Sequence, residues 1–206
     1  EAGSGKTHLM RAFRNMVHAD GNAFFAYMQM TTTSMNYERY VLHNLIDSLQ
    51  QPYHPDERRT SLQVLSDRLT ELLPQSRVTA LREAESGPEA APIVFELSDR
   101  LVDRNDLPPV DLDFVRALLF LQVGRPSITT KVNKYLRAEE LSEFDRQTLG
   151  GIAPLHADHA PLEQAMNLAR LIRTPLDRAL VVCVDQLEDV FNLEASKERF
   201  PRAMSA

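Results

Sequence analysis

The chain has 206 residues, of which 43% are hydrophobic and 25% charged, which excludes a disordered or fibrous protein and predicts a packed globular interior. Its net charge of -6 excludes a basic field able to drive wholesale nucleic-acid binding, so charge gives no support to nucleic acid as a partner. The single cysteine, Cys183, excludes an intramolecular disulfide framework and favours a reducing, cytoplasmic compartment.

The sequence has no signal for a membrane, and its start is unusual. No apolar run approaches the roughly 20 residues that a membrane helix needs, so we expect a soluble chain with no membrane contact. Position 1 is Glu rather than Met, and a dense glycine motif fills the first seven residues. We therefore expect a fragment of a longer protein, truncated at both ends.

The first 51 residues predict a helix, a strand and a second helix. Apolar residues recur at helical spacing over residues 6–18, until a polar turn at 20–22 interrupts the pattern. Residues 23–30 form a nearly continuous apolar run, which favours a strand buried on both faces. Residues 37–49 return to the helical period.

Residues 52–177 show mostly helical periodicity and predict an all-helical insertion. Clusters of Gly, Pro and Asp predict three loops within it, at 85–92, 106–111 and 150–161. A last helix over 161–173 begins with a well-placed proline.

A final strand is predicted over residues 179–184, where six consecutive apolar residues precede the carboxylate of Asp185. The run indicates a buried strand, in which Cys183 is a small core residue whose thiol pKa is raised by burial. With only two strands in the sequence, we expect the later one to keep an exposed edge.

The strongest functional signal is the opening Glu1–Thr7, which matches seven of the eight positions of the phosphate-binding pattern G-x-x-x-x-G-K-[ST]. Glycines let backbone N–H groups curl around phosphates, and the helix N-terminus behind them attracts the anion. Lys6 reaches the β- and γ-phosphates, and the Thr7 hydroxyl can bind Mg²⁺. The residues predicted to contact nucleotide are Ala2, Gly3, Ser4, Gly5, Lys6, Thr7 and His8.

The second signal is Asp185, at the end of the last predicted strand. Nucleotide sites of this kind need an acidic group at the carboxyl end of a strand to hold hydrated Mg²⁺. Hydrophobic strands that end in Asp are common, so this motif is weak by itself and gains weight from the opening loop. Thr7 and Asp185 are therefore the predicted metal ligands.

These motifs, with the run Val-Val-Cys-Val-Asp-Gln-Leu-Glu-Asp at 181–189, resemble P-loop NTPases of the AAA+ and STAND grade. Residues 135–191 are more specifically similar to large bacterial ATPases of phage-exclusion (BREX-like) systems. The resemblance implies ATP, Mg²⁺, a multidomain parent with other domains or subunits as partners, and phage defence as the setting. It also implies a parallel sheet of which this chain retains only the second and third strands, as neighbours.

The sequence departs from the AAA+ pattern at Gln186, where that family usually has the Glu that activates the attacking water. An amide cannot accept the proton as a carboxylate does. Glu188, two residues on, could take this role, and it could equally be a solvated loop carboxylate. The candidate catalytic residues are Lys6, Gln186 and Glu188.

The predicted fold class is α/β: a partial P-loop NTPase core, made of residues 1–51 and 178–206, with a helical insertion over 52–177. The predicted function is ATP binding with Mg²⁺-dependent hydrolysis that drives conformational change in a larger protein. The alternative is a non-hydrolysing nucleotide-binding scaffold or regulatory interaction module, which Gln186 motivates. A small-molecule phosphotransferase ranks last, because the insertion has no acceptor-binding signature. The oligomeric state stays open.

Overall fold

A computed structural model describes residues 5–31, 36–54, 56, 58–155 and 159–186. Within them the chain is mixed α/β and mostly helical, with a single two-stranded parallel sheet. It divides into two compact units: unit 1 comprises the described residues of Glu1–Ser61 and Arg178–Ala206, and unit 2 comprises those of Leu62–Asp177.

Unit 1 has two helices and two strands. Its elements are α1 (Lys6–Ala19), β1 (Ala23–Gln29), α2 (Tyr37–Leu49) and β2 (Ala179–Asp185). The strands pair in parallel from Ala23 opposite Ala179 to Gln29 opposite Asp185. The two predicted neighbouring parallel strands are thus confirmed, and the predicted helices and strands of this unit agree with the structure to within a residue at each end.

The two strands differ in how deeply their side chains are buried. Phe24, Phe25 and Met28 of β1 are buried, as its apolar run predicts. The prediction that β2 is buried is wrong for the described residues, since Val182 and Val184 remain 42% and 40% exposed. The physical reason is that, among the described elements, α1 and α2 pack mainly against β1 rather than β2. β2 also pairs only with β1 there, in agreement with the expected exposed edge.

The edge of β1 that faces away from β2 is bonded by side chains. Alternate residues of β1 point their backbone groups to this side, and helical or loop side chains meet them. The bonds are Phe25 N–H to His18 Nε2 (3.0 Å), Tyr27 N–H to Ser48 Oγ (2.8 Å), Tyr53 Oη to the Ala23 carbonyl (2.8 Å) and Tyr40 Oη to the Gln29 carbonyl. β1 is therefore a protected edge strand, whereas β2 is open.

Unit 2 is helical throughout its described residues, as the sequence predicts. Its helices are α3 (Ser61–Glu71, which begins at the boundary), α4 (Gln75–Glu83), α5 (Gly87–Val102), α6 (Leu112–Phe120), α7 (Pro126–Leu136), α8 (Glu143–Thr148) and α9 (Ala160–Arg173), with a short 3-10 turn at Leu121–Val123. Its core centres on α6, where Phe114 and Phe120 are fully buried. None of the helices in the described part of the chain has the length and apolar character to cross a bilayer.

The predicted loop at 85–92 is wrong, because α5 begins at Gly87. Ser86 caps the helix by accepting the Glu89 N–H, and the Glu89 carboxylate accepts the Glu85 N–H at 2.8 Å. This Ser-x-x-Glu start signal outweighs the Gly and Pro residues that suggested a loop. Pro92 lies inside α5, beyond its first turn, where it removes an intrahelical hydrogen bond.

Candidate functional site

The start of α1 has the backbone geometry of an anion-binding turn. Gly5 precedes the helix with φ 75° and ψ 0°, a left-handed conformation that favours glycine. No side chain caps the helix, and the first intrahelical bond runs from the Leu9 N–H to the Gly5 carbonyl at 3.0 Å. The preceding N–H groups, through His8, have no partner within a helix of this geometry, and unpaired N–H groups at a helix start attract anions.

Part of the predicted loop lies outside the described residues. Ala2, Gly3 and Ser4 lie outside the described residues, as does Glu188, and for Lys6 and Thr7 only the backbone is described, as the first two residues of α1. The sequence motif and the helix start therefore coincide at Gly5.

The carboxyl ends of the two strands form the second half of the candidate site. Asp185 is the last residue of β2 and lies opposite Gln29, the last residue of β1. Because the strands are parallel, both side chains emerge at the same end and on the same face of the sheet.

The N-terminus of α1 lies at this same end of unit 1. A short turn joins α1 to β1, so the two run in opposite directions, and the Phe13 and Phe25 rings meet edge to face at 5.7 Å. From that contact, α1 rises about 12 Å back to Gly5, and β1 extends about 13 Å forward to Gln29. These rises bring Gly5 toward the end of unit 1 at which β1 ends.

Hydrogen bonds hold both carboxylate oxygens of Asp185. Tyr27 Oη donates to Oδ2 at 2.9 Å, and the Gln186 N–H donates to Oδ1 at 2.8 Å. Gln29 Nε2 in turn donates to Tyr27 Oη at 2.9 Å. Burial raises the pKa of Tyr27, the bond from Gln29 opposes that rise, and the hydrogen bond and charge of Asp185 add to it. The phenol therefore stays protonated at neutral pH and remains a donor.

Gln186 leaves the strand in a strained conformation. Its φ of 60° is in the left-handed region, which costs a residue with a side chain roughly 1–2 kcal/mol. The same turn directs its N–H to the Asp185 carboxylate.

The residues at this end fit a hydrated Mg²⁺ better than a metal cage made only of protein ligands. Among the residues whose positions are described, no group of three or more His, Cys, Asp or Glu could hold a metal ion. Mg²⁺ is commonly bound through one or two carboxylates, with water and phosphate oxygens completing its shell. Asp185, with both carboxylate oxygens oriented by hydrogen bonds, suits that role.

Sequence reasoning missed Tyr27 and Gln29. They lie two residues apart at the polar end of an otherwise apolar strand, so they share a face. The signal was visible, because polar residues at the carboxyl end of a predicted parallel strand point to the same edge as Asp185. Cys183, by contrast, is half-buried, and burial raises the pKa of its thiol as expected.

We expect Tyr27→Phe to lower the free energy of unfolding by about 1–2 kcal/mol, because the donor to a carboxylate is lost. Tyr40→Phe is the matched control, since its phenol donates to the neutral Gln29 carbonyl at the same end of the sheet. Denaturant unfolding at neutral pH should give the larger loss for Tyr27→Phe. Equal losses would mean that the Asp185 bond has no special strength.

The candidate site consists of a left-handed glycine that opens a helix and a strand-end carboxylate oriented by two donors. Compared with known proteins, the chain matches no family model, no curated protein and no solved structure.

Proposed function

We propose that the chain binds ATP through unit 1 and is a P-loop NTPase of the AAA+ and STAND grade, akin to the ATPases of BREX-like phage-exclusion systems. One observation supports this most: left-handed Gly5 opens α1 directly before Lys6-Thr7. Any helix start attracts an anion, but this start bears the lysine and hydroxyl that a magnesium triphosphate requires.

In this proposal β1 and β2 are the second and third strands of a P-loop core, and unit 2 is an insertion into it. The bonded outer edge of β1 supports its place as the outermost strand. The open edge of β2 and the exposure of Val182 and Val184 support an inner place for β2 in a larger sheet.

Each residue then has a chemical task. The N–H groups from Gly5 to His8 donate to phosphate oxygens, and the Lys6 ammonium neutralises their charge. Thr7 and Asp185 hold Mg²⁺, which when bound neutralises the β- and γ-phosphate oxygens. Tyr27 and the Gln186 N–H fix the orientation of the Asp185 carboxylate.

Hydrolysis by in-line water attack requires a group that orients or deprotonates the water. Glu188 is the proposed base, and Gln186 at most orients the water. The alternative is a scaffold that binds ATP without hydrolysing it, in which the nucleotide orders an interaction surface. The specific support for this alternative is Gln186, which follows Asp185 directly. Its side chain is an amide rather than a carboxylate, and its backbone N–H is bonded to the Asp185 carboxylate.

Calorimetric titration of the chain with ATP, with and without Mg²⁺, tests the binding proposal. We expect Mg²⁺ to strengthen binding, and Asp185→Asn to abolish that gain while leaving Mg²⁺-free binding in place. Asp20→Asn is the matched control, because Asp20 is exposed at the opposite end of α1. No saturable binding in the millimolar range, or the same loss in both variants, would refute the proposal.

Steady-state phosphate release separates the two functions. An ATPase releases phosphate in a Glu188-dependent manner, so Glu188→Gln should abolish turnover while ATP still binds. Binding without turnover in the unmodified chain would favour the scaffold, and Gln186→Glu would then be expected to introduce slow release.

A further inference from the structure

His18, in the last turn of α1, is a buried histidine with both ring nitrogens engaged. His18 is only 3% exposed. The Phe25 N–H donates to Nε2 at 3.0 Å, and Nδ1 lies 2.5 Å from the Tyr53 carbonyl oxygen. A backbone N–H can only donate and a carbonyl can only accept, so Nε2 is unprotonated and Nδ1 bears the proton. The surroundings thus select one neutral tautomer.

This imidazole joins three parts of unit 1. It extends from α1 to the outer edge of β1 and to the segment that follows α2. The Tyr53 ring stacks on it with centroids 4.0 Å apart and planes 13° from parallel. The Tyr53 hydroxyl also donates to the Ala23 carbonyl at 2.8 Å, so Tyr53 is bonded to β1 as well as to His18.

A proton on Nε2 would destroy the arrangement. It would place two donors, Nε2–H and the Phe25 N–H, against each other in a buried position. Arg14, on the same helix, and His54, on the segment after α2, also disfavour a positive charge on His18, while β1 contributes the Phe25 backbone N–H. Burial most of all, and then Arg14 and His54, hold the pKa of His18 below its ordinary value of 6.5, although the Tyr53 carbonyl opposes this.

We propose that His18 is an acid-sensitive latch, which in its neutral form holds the C-terminal end of α1 against the edge of β1 and on protonation releases it. The direction of the pH effect on stability follows from the linkage between protonation and folding. A histidine whose folded pKa is lowered contributes stability that is complete above about pH 6.5 and is lost as the pH falls below that value. The latch lies at the opposite end of α1 from Gly5, so it does not depend on the proposed nucleotide site.

Amide hydrogen exchange resolved by residue tests the latch. Between pH 6.5 and 5.5, after correction for the intrinsic exchange rate, we expect protection of the Phe25 N–H to fall up to about tenfold per pH unit. The Tyr27 N–H is an internal control, because it is bonded to Ser48 of α2 and should keep its protection when α1 alone is released. A parallel fall at both amides would indicate unfolding of the whole unit and overturn the latch.

His18→Gln supplies the decisive variant, because glutamine offers one acceptor and one donor but does not titrate. Its Phe25 protection should no longer depend on pH in this range. The matched His54→Gln variant should retain a pH dependence, moved toward higher pH because His54 lowers the pKa of His18. An unchanged pH dependence in His18→Gln would refute the proposal. If that variant does not fold, the ring ¹⁵N spectrum of the unmodified protein at pH 7.5 still decides, since the opposite tautomer or a charged ring would overturn it.

Discussion

Lys6→Ala is expected to weaken ATP binding by roughly 1.5–3 kcal/mol, or about 10- to 150-fold. The ammonium of Lys6 is proposed to make charge-assisted hydrogen bonds to the phosphates, and such bonds are about twice as strong as neutral ones. Calorimetric titration measures the change directly. Lys134→Ala is the matched control, because Lys134 is an exposed lysine near the end of α7 in unit 2. Equal affinity in Lys6→Ala and the unmodified chain would end the assignment of the opening loop.

The same titration distinguishes Lys6 from Asp185. Lys6 is proposed to act on the phosphates themselves, so its loss should weaken binding whether or not Mg²⁺ is present. Asp185 is proposed to act only through the metal, so its loss should matter only with Mg²⁺. If the Lys6 effect also vanishes without Mg²⁺, the two residues form one interdependent unit, and a double-mutant cycle would measure their coupling.

The secondary structure of unit 1 was largely predictable because the sequence patterns that indicate it are local. The helical period of α1, the continuous apolar run of β1 and the strand before Asp185 all lie within windows of about ten residues. The exposure of the β2 side chains was not predictable from such local patterns. The six apolar residues of β2 indicate a buried strand, but the burial of a strand depends on its neighbours, and only one neighbour is present among the described residues.

The polar contacts of unit 1 were beyond sequence reasoning for a different reason. Tyr27 and Asp185 are 158 positions apart, and only the strand register brings them together. His18 likewise takes its partners from β1 and from the segment after α2, and a lone histidine on a helix gives no sign of either. Spacing along the chain predicts which residues share a face of one element, but not which elements meet.

In unit 2 the incorrect prediction of a loop at 85–92 depended largely on Gly87. Glycine next to proline suggested a turn, yet Gly87 is the first residue of α5 and has ordinary helical backbone. The reason for a glycine there is a close approach: a Cβ at this position would lie 1.8 Å from the carbonyl oxygen of Thr148, the last residue of α8. A contact between two helices, rather than a turn, explains the residue.

Gly87→Ala should therefore destabilise unit 2 by about 3 kcal/mol or more, because the opposing atom is backbone and cannot rotate away. Gly124→Ala is the matched control in the same unit: its φ of 69° is left-handed, but no atom lies within 4 Å of an added Cβ, so only backbone strain of about 1–2 kcal/mol is expected. Denaturant unfolding of both variants measures the difference. If Gly87→Ala costs no more than Gly124→Ala, α5 and α8 do not approach as described, and the glycine would then reflect the turn that its sequence context first suggested.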